Sequence, residues 1–183
     1  PSALGKGATD ILSWLAVPEM NLLPLLQFPG LLGALIATPH VTEALATLSC
    51  LCRVKDEAQQ VAMATNTALV DLLVANVGHF FGACVALSNL CSSDNNRALL
   101  YEHPGLIAAV TDATRVPACV DEAVGVLAKM VRSDSLRLPL LRNPLVLDAL
   151  RRAAGSGIDE VSNRAIGCLY NLSRKSENRA LMR

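Results

Sequence analysis

Residues 83–107 read Ala83-Cys84-Val85-Ala86-Leu87-Ser88-Asn89-Leu90-Cys91-Ser92-Ser93-Asp94-Asn95-Asn96-Arg97-Ala98-Leu99-Leu100-Tyr101-Glu102-His103-Pro104-Gly105-Leu106-Ile107. Apolar residues at 84, 87, 90 and 91 mark one face of a helix over Gly82–Cys91. Ser92 to Asn96 is a breaker and capping cluster. Arg97 to Glu102 predicts a short helix, and Pro104-Gly105 a sharp corner with Pro near the start of the next helix. Leu106 to Thr114 predicts a second helix with Leu106, Ile107 and Val110 inward. Val120 to Val131 then opens another long helix.

The same text recurs along the chain. Leu12-Ser13-Trp14-Leu15, Leu48-Ser49-Cys50-Leu51, Leu87-Ser88-Asn89-Leu90, Leu127-Ala128-Lys129-Met130 and Leu169-Tyr170-Asn171-Leu172 share one pattern. Their first positions lie 36, 39, 40 and 42 residues apart. Fifteen residues after the last position of each come Gly30, Asn66, Gly105 and Leu145, behind Pro29, Thr65, Pro104 and Pro144. A fixed spacing within units and a variable one between them is the mark of repeated supersecondary units joined by loops. The units are about 1–38, 39–76, 77–114, 115–155 and an incomplete 156–183. Their long helices are expected to start near Gly7, Thr42, Gly78, Val120 and Ser162.

Composition agrees. The chain has 183 residues, 52% apolar and 3% aromatic, with 17% charged against a usual ~25%. So much aliphatic surface excludes disorder, and the scarcity of aromatics argues against a β-sandwich. Sixteen basic residues balance sixteen acidic ones, so no overall basic field points to nucleic acid. Met20–Thr42 and Leu72–Ser93 lack charge and are long enough to span a bilayer. Pro24, Pro29, Gly30 and Pro39 in the first, and Asn76, Gly78, His79, Ser88 and Asn89 in the second, favour buried short helices instead. The sequence does not open on Met and carries no signal pattern, which suggests an excised or processed fragment.

Six cysteines in a chain this long do not form a secreted disulfide framework, and Cys50-x-Cys52 lacks a second close pair for a metal. They read as buried thiols in a reducing, cytoplasmic setting. In the repeat register Cys52, Cys84, Cys91 and Cys168 fall on core positions. Cys50 falls on the outer face and is the candidate reactive thiol. The three histidines lie in different units with no nucleophile at a catalytic spacing, so neither an enzyme nor a cofactor is expected. Asp121-Glu122 and Asp159-Glu160 sit where long helices begin, as the macrodipole favours.

The stretch from Ala83 to Ile107, and Ile166-Gly167-Cys168-Leu169-Tyr170-Asn171-Leu172 through Glu177-Asn178-Arg179, resemble the armadillo-repeat family across nearly the whole chain. HEAT repeats lack the short first helix and the Pro-Gly corner. Asn66 stands where the family favours Gly, and Asn also tolerates left-handed turns; the fourth unit has Leu145. The resemblance implies an all-α, right-handed superhelical solenoid of three-helix repeats. It also implies a concave groove lined by the third helices, where an Asn on each holds the backbone of an extended peptide. That position holds Trp14, Cys50, Asn89, Lys129 and Asn171. Importin-α also needs Trp four residues earlier; those positions hold Asp10, Ala46, Val85, Gly125 and Gly167, which argues against a receptor of that kind.

The outer face runs Arg164, Gly167, Asn171, Arg174 in the last unit, Glu122, Gly125, Lys129, Arg132 in the fourth and Glu43, Ala46, Cys50, Arg53 in the second. Five cations against two anions point to an acidic extended ligand. The expected binding residues are therefore Asn89, Asn171, Lys129, Arg132, Arg174, Arg164, Arg53 and Trp14, and the expected role is that of a scaffold or adaptor for a protein partner. The alternative is an assembly segment working through its ends and convex face. In that case an apolar surface around Leu169, Leu172 and Leu181 joins a second copy or further protein.

Overall fold

A computed structural model describes residues 4–174 and Asn178. Among them are thirteen helices and no strand. The long helices are α1 (Lys6–Leu15), α4 (Val41–Leu51), α7 (Phe81–Leu90), α10 (Val120–Met130) and α13 (Asp159–Ser173). Between them run α2 (Glu19–Gln27) and α3 (Leu31–Ile36), α5 (Glu57–Ala64) and α6 (Thr67–Asn76), α8 (Asp94–Glu102) and α9 (Leu106–Ala113), and α11 (Arg137–Arg142) and α12 (Pro144–Ala154).

Contacts follow the repeat. The long helices pack in series, α1 on α4, α4 on α7, α7 on α10 and α10 on α13. The helix before each long one does likewise: α3 packs on α6, α6 on α9 and α9 on α12. The repeated leucines fill the seam between these layers. Leu48, Leu87 and Leu127 are completely buried, as are Leu51, Leu90, Met130 and Leu172 three positions on. One continuous apolar core joins all the units. No helix among the described residues is long and apolar enough to cross a membrane.

Three starts fall within one residue of expectation: α1, α4 and α10. α7 starts at Phe81 rather than near Gly78, because the turn after α6 takes up Gly78 and His79, whose neighbour Phe80 is extended. α13 starts at Asp159 rather than Ser162, with Asp159 and Glu160 in its first turn. α8 starts at Asp94, three residues early, because the cluster read as a breaker also forms the helix N-terminus. Pro24 lies inside α2 and does not end it.

The corners use two chemistries. Gly30 and Gly105 take left-handed φ values of 77° and 81°, a region that costs a side chain about 1–2 kcal/mol. Asn66 does not follow them. Its φ is −75° and its ψ 96°, and its Oδ1 accepts the Leu69 N–H at 3.1 Å. Asn143 does the same one unit pair later, its Oδ1 accepting from Leu145 N at 3.0 Å, with Pro144 at the helix start. The amide side chain caps the helix where glycine would instead bend the main chain.

The apolar surface expected at the C-terminal end is differently made. Leu172 is buried and Leu169 packs against the core, while Leu181 lies outside the described residues. Ile166 and Tyr170, one turn apart on α13, are the exposed pair.

Candidate functional site

The long helices and the turns at their C-terminal ends carry the expected binding residues, and each that forms a bond to a neighbouring unit reaches backwards. Arg53 Nη2 donates to Val17 O at 3.0 Å. Asn89 Nδ2 donates to Ser49 O at 3.0 Å. Lys129 Nζ donates to Ser88 O and Ser88 Oγ, both at 2.7 Å. Arg164 Nη1 donates to Asp121 O at 3.0 Å and lies 3.1 Å from its Oδ1, while Nη2 meets Glu160 Oε1 at 3.3 Å. These side chains bridge to main-chain carbonyls 36 to 43 residues back. They join consecutive units, which is a structural role in its own right.

Lys129, Arg132 and Arg164 line one cleft of about 320 Å³ with Ser88, Glu122, Gly125 and Ala128. Gly125 is buried, and a Cβ there would stand 3.1 Å from Arg164 Nη1. The missing side chain leaves the room in which the cations converge. Arg132 is exposed, and its guanidinium has no partner among the described residues. Lys129 is half-buried. Burial holds its pKa below the usual lysine value, and Arg132 and Arg164 push it the same way, against Cys91 and Glu122. A cation so placed gains from an added anion.

Asn89 and Arg53 line a second cleft, of about 540 Å³, with Lys55, Gln60 and Asp94. Asn171 stands on α13, Arg174 caps its C-terminal end and Trp14 stands on α1; they line neither cleft. The eight residues therefore divide between two clefts and two outer helices.

The residues that sequence reasoning missed are caps, all buried except the half-buried Asn21. Arg97 Nε donates to Cys91 O at 2.9 Å and Nη2 to Ser92 O at 3.1 Å, with Nη1 2.7 Å from Asp94. Arg137 repeats this on Val131 O, Arg132 O and Asp134. Asn21, Asn96 and Asn178 each donate to a carbonyl six residues back, on Leu15, Leu90 and Leu172. Gln60 takes the role in the second unit, bonding Cys52 O and Val54 O. These side chains satisfy carbonyls at or just past the C-terminal ends of the long helices, which the helix itself cannot. For the three asparagines, the six-residue offset from the last motif leucine was the available signal.

Five cysteines are buried and Cys50 is half-buried. Burial raises the pKa of Cys91 and of Cys168 to about 12, and those of Cys52 and Cys84 further still. These thiols are inert packing groups. Among the described residues no group of three or more His, Cys, Asp or Glu is placed to hold a metal. His103 Nε2 lies 3.1 Å from Asp71 Oδ1, a pairing that the sequence did not suggest. No family model and no curated protein matches the chain.

Proposed function

We propose that the chain is an armadillo-type solenoid that serves as a protein-binding scaffold, holding an extended acidic segment of a partner on the face of its long helices. The observation that carries this reading is the convergence of Lys129, Arg132 and Arg164 on one cleft, with Glu122 as the opposing carboxylate in its lining. The serial packing of α1, α4, α7, α10 and α13 supports the solenoid, since each unit touches its neighbours in the same way.

The cations rather than the asparagines support the ligand's chemistry. One N–H of Asn89 is already engaged by Ser49, so its amide is less available to pair a peptide backbone. Arg132 is exposed and its guanidinium has no partner among the described residues, so it is the residue through which an acidic ligand is read. Its planar fork suits a carboxylate or phosphate in two parallel bonds.

The test is fluorescence anisotropy with a short labelled peptide rich in Glu and Asp. Arg132→Glu should weaken binding by about tenfold and flatten its salt dependence, because an exposed ion pair contributes up to about 1 kcal/mol and the reversed charge adds a repulsion of similar size. Arg132→Lys should retain part of the affinity. Equal binding of the peptide by the wild type and Arg132→Glu would end this reading.

A further inference from the structure

The cleft between α7, α10 and α13 gathers hydrogen-bond donors from three units. Lys129 uses two of its three N–H bonds on Ser88 O and Ser88 Oγ, both at 2.7 Å, and keeps the third. Ser88 Oγ accepts from that ammonium, so its own O–H is left to donate. Arg164 comes from the next long helix, already oriented by Asp121 O at 3.0 Å and by Glu160 Oε1 at 3.3 Å. Arg132, three residues beyond Lys129, brings a whole guanidinium with no partner among the described residues.

Charge along the lining is uneven. Three cations share it with a single carboxylate, Glu122, which leaves a surplus of two positive charges. Asp121 and Glu160, the partners of Arg164, lie outside the lining. One Asp or Glu side chain of a ligand answers one of the two surplus charges. A phosphate monoester answers both, since it carries about −1.5 to −2 charge at pH 7 and three acceptor oxygens. The two oxygens of a carboxylate lie in one plane. Three phosphoryl oxygens point apart, and together they can meet a point cation, a planar fork and a hydroxyl on different helices. Gly125 supplies the room. It is buried, and the place its Cβ would take is 3.1 Å from Arg164 Nη1 and 3.8 Å from Ser88 Oγ, with Glu122 Oε2 at 3.7 Å as the one like charge. Ala128 is the only apolar side chain of the lining. An aromatic ring therefore finds no apolar wall there, which favours a short phosphorylated side chain over phosphotyrosine.

We propose that this cleft is a phosphoserine or phosphothreonine pocket, in which Lys129, Arg132 and Arg164 take the phosphoryl group of a modified partner segment over Gly125. The inference rests on the scaffold reading proposed for the face of the long helices. It narrows the ligand from an acidic segment to one whose charge is added covalently. Association is thereby switched on by modification of the partner and is not fixed by the partner's sequence alone.

Three labelled peptides with the same acidic flanks and a central Ser, Glu or phosphoserine test this by fluorescence anisotropy on the 183-residue chain. The phosphoserine peptide should bind about tenfold more tightly than the Glu peptide, because it answers a second cation in a partly buried cleft that salt screens less. Gly125→Ala should keep the fold, alanine being the better helix former. It should nonetheless cut the preference for phosphoserine several-fold, by placing a methyl group where the phosphoryl oxygens go. Lys129→Met should cut it by a similar factor, by removing the half-buried cation. Equal affinity for the phosphoserine and Glu peptides overturns this inference and leaves the scaffold reading standing, whereas failure of all three peptides to bind ends both. A preference that Gly125→Ala and Lys129→Met leave unchanged places the phosphoryl group elsewhere and also overturns it. Two further results do the same. One is inorganic phosphate displacing the labelled phosphopeptide as well as the unlabelled phosphopeptide does, which makes the site one for the free ion. The other is binding to phosphatidylcholine vesicles doped with phosphatidic acid that the phosphopeptide fails to displace, which makes it a headgroup site.

Discussion

Arg97 and Arg132 stand in neighbouring units, and as entries in a charge count they are identical. Arg97 is buried at the seam between a long helix and the short helix after it, with its guanidinium shared among two carbonyls and Asp94. Arg132 lies on the outer face, exposed, with its own carbonyl accepting from Arg137. The seam uses charge to close the ends of helices, where water is excluded and an unmet carbonyl is costly. The face uses charge where water already satisfies it, so only a ligand changes its energy. The role of a cation in this fold is set by whether it is folded into the seam or left on the outer face, and not by its type.

Removing the seam arginines should have the largest effect. Arg97→Met keeps the aliphatic stem but strands two main-chain carbonyls, each worth about 1–3 kcal/mol when buried without a partner. The expected loss is about 2–4 kcal/mol in urea unfolding. Arg137→Met should fall slightly lower, because its bond to Arg132 O is 3.3 Å long. Arg53→Met and Arg132→Met should each cost below about 0.5 kcal/mol. Equal losses in the two sets would erase the distinction between seam and face.

The corners sharpen the same distinction at smaller magnitude, because one geometric task is met there by main chain or by side chain. At Gly105 an added Cβ meets nothing within 4 Å, so Gly105→Ala isolates the conformational cost and should lose about 1–2 kcal/mol. Asn66→Ala removes a cap and should lose about 1 kcal/mol, while Asn66→Gly should cost only a few tenths. If Asn66→Gly were as harmful as Asn66→Ala, the Oδ1 bond to Leu69 would not be what holds that corner.

These contrasts explain what could be read in advance. The all-helical class, the five long helices and the positions of the corners follow from local spacing, because leucine periodicity and Pro, Gly and Asn signals act within a few residues. Helix starts slipped where two local signals competed. At α13 the acidic pair Asp159-Glu160 marked the N-terminus better than the apolar pattern did. At α8 the polar cluster both ended one helix and began the next. The candidate site was less legible, since its chemistry depends on partners about forty residues away. Nothing near Asn89 in sequence shows that Ser49 takes its N–H. Nor does anything near Arg97 distinguish it from a surface cation, until its seven-residue offset from the end of α7 is noticed.

Lys129 belongs to both regions, and its titration is the smallest and finest test of the difference. It lines the outer cleft yet bonds Ser88 as tightly as a seam residue does. Burial, with Arg132 and Arg164 nearby, sets its pKa in the folded chain below the usual lysine value of about 10.4. Below that lowered pKa both folded and unfolded chains hold the proton, and the cost of keeping a cation in the cleft is fully present. Between the lowered pKa and the unfolded one, the unfolded chain binds more protons, so stability rises with pH. Other alkaline titrations are shared by Lys129→Met and cancel in the difference. The stability of the wild type relative to Lys129→Met should therefore rise from pH 7.5 to pH 10 in paired urea unfolding curves. An acidic peptide in the cleft should oppose the trend, because its carboxylates favour the charged amine and it binds more weakly as the proton leaves. A relative stability that stays flat or falls over that range would show Lys129 to be solvated like Arg132, a residue of the face alone.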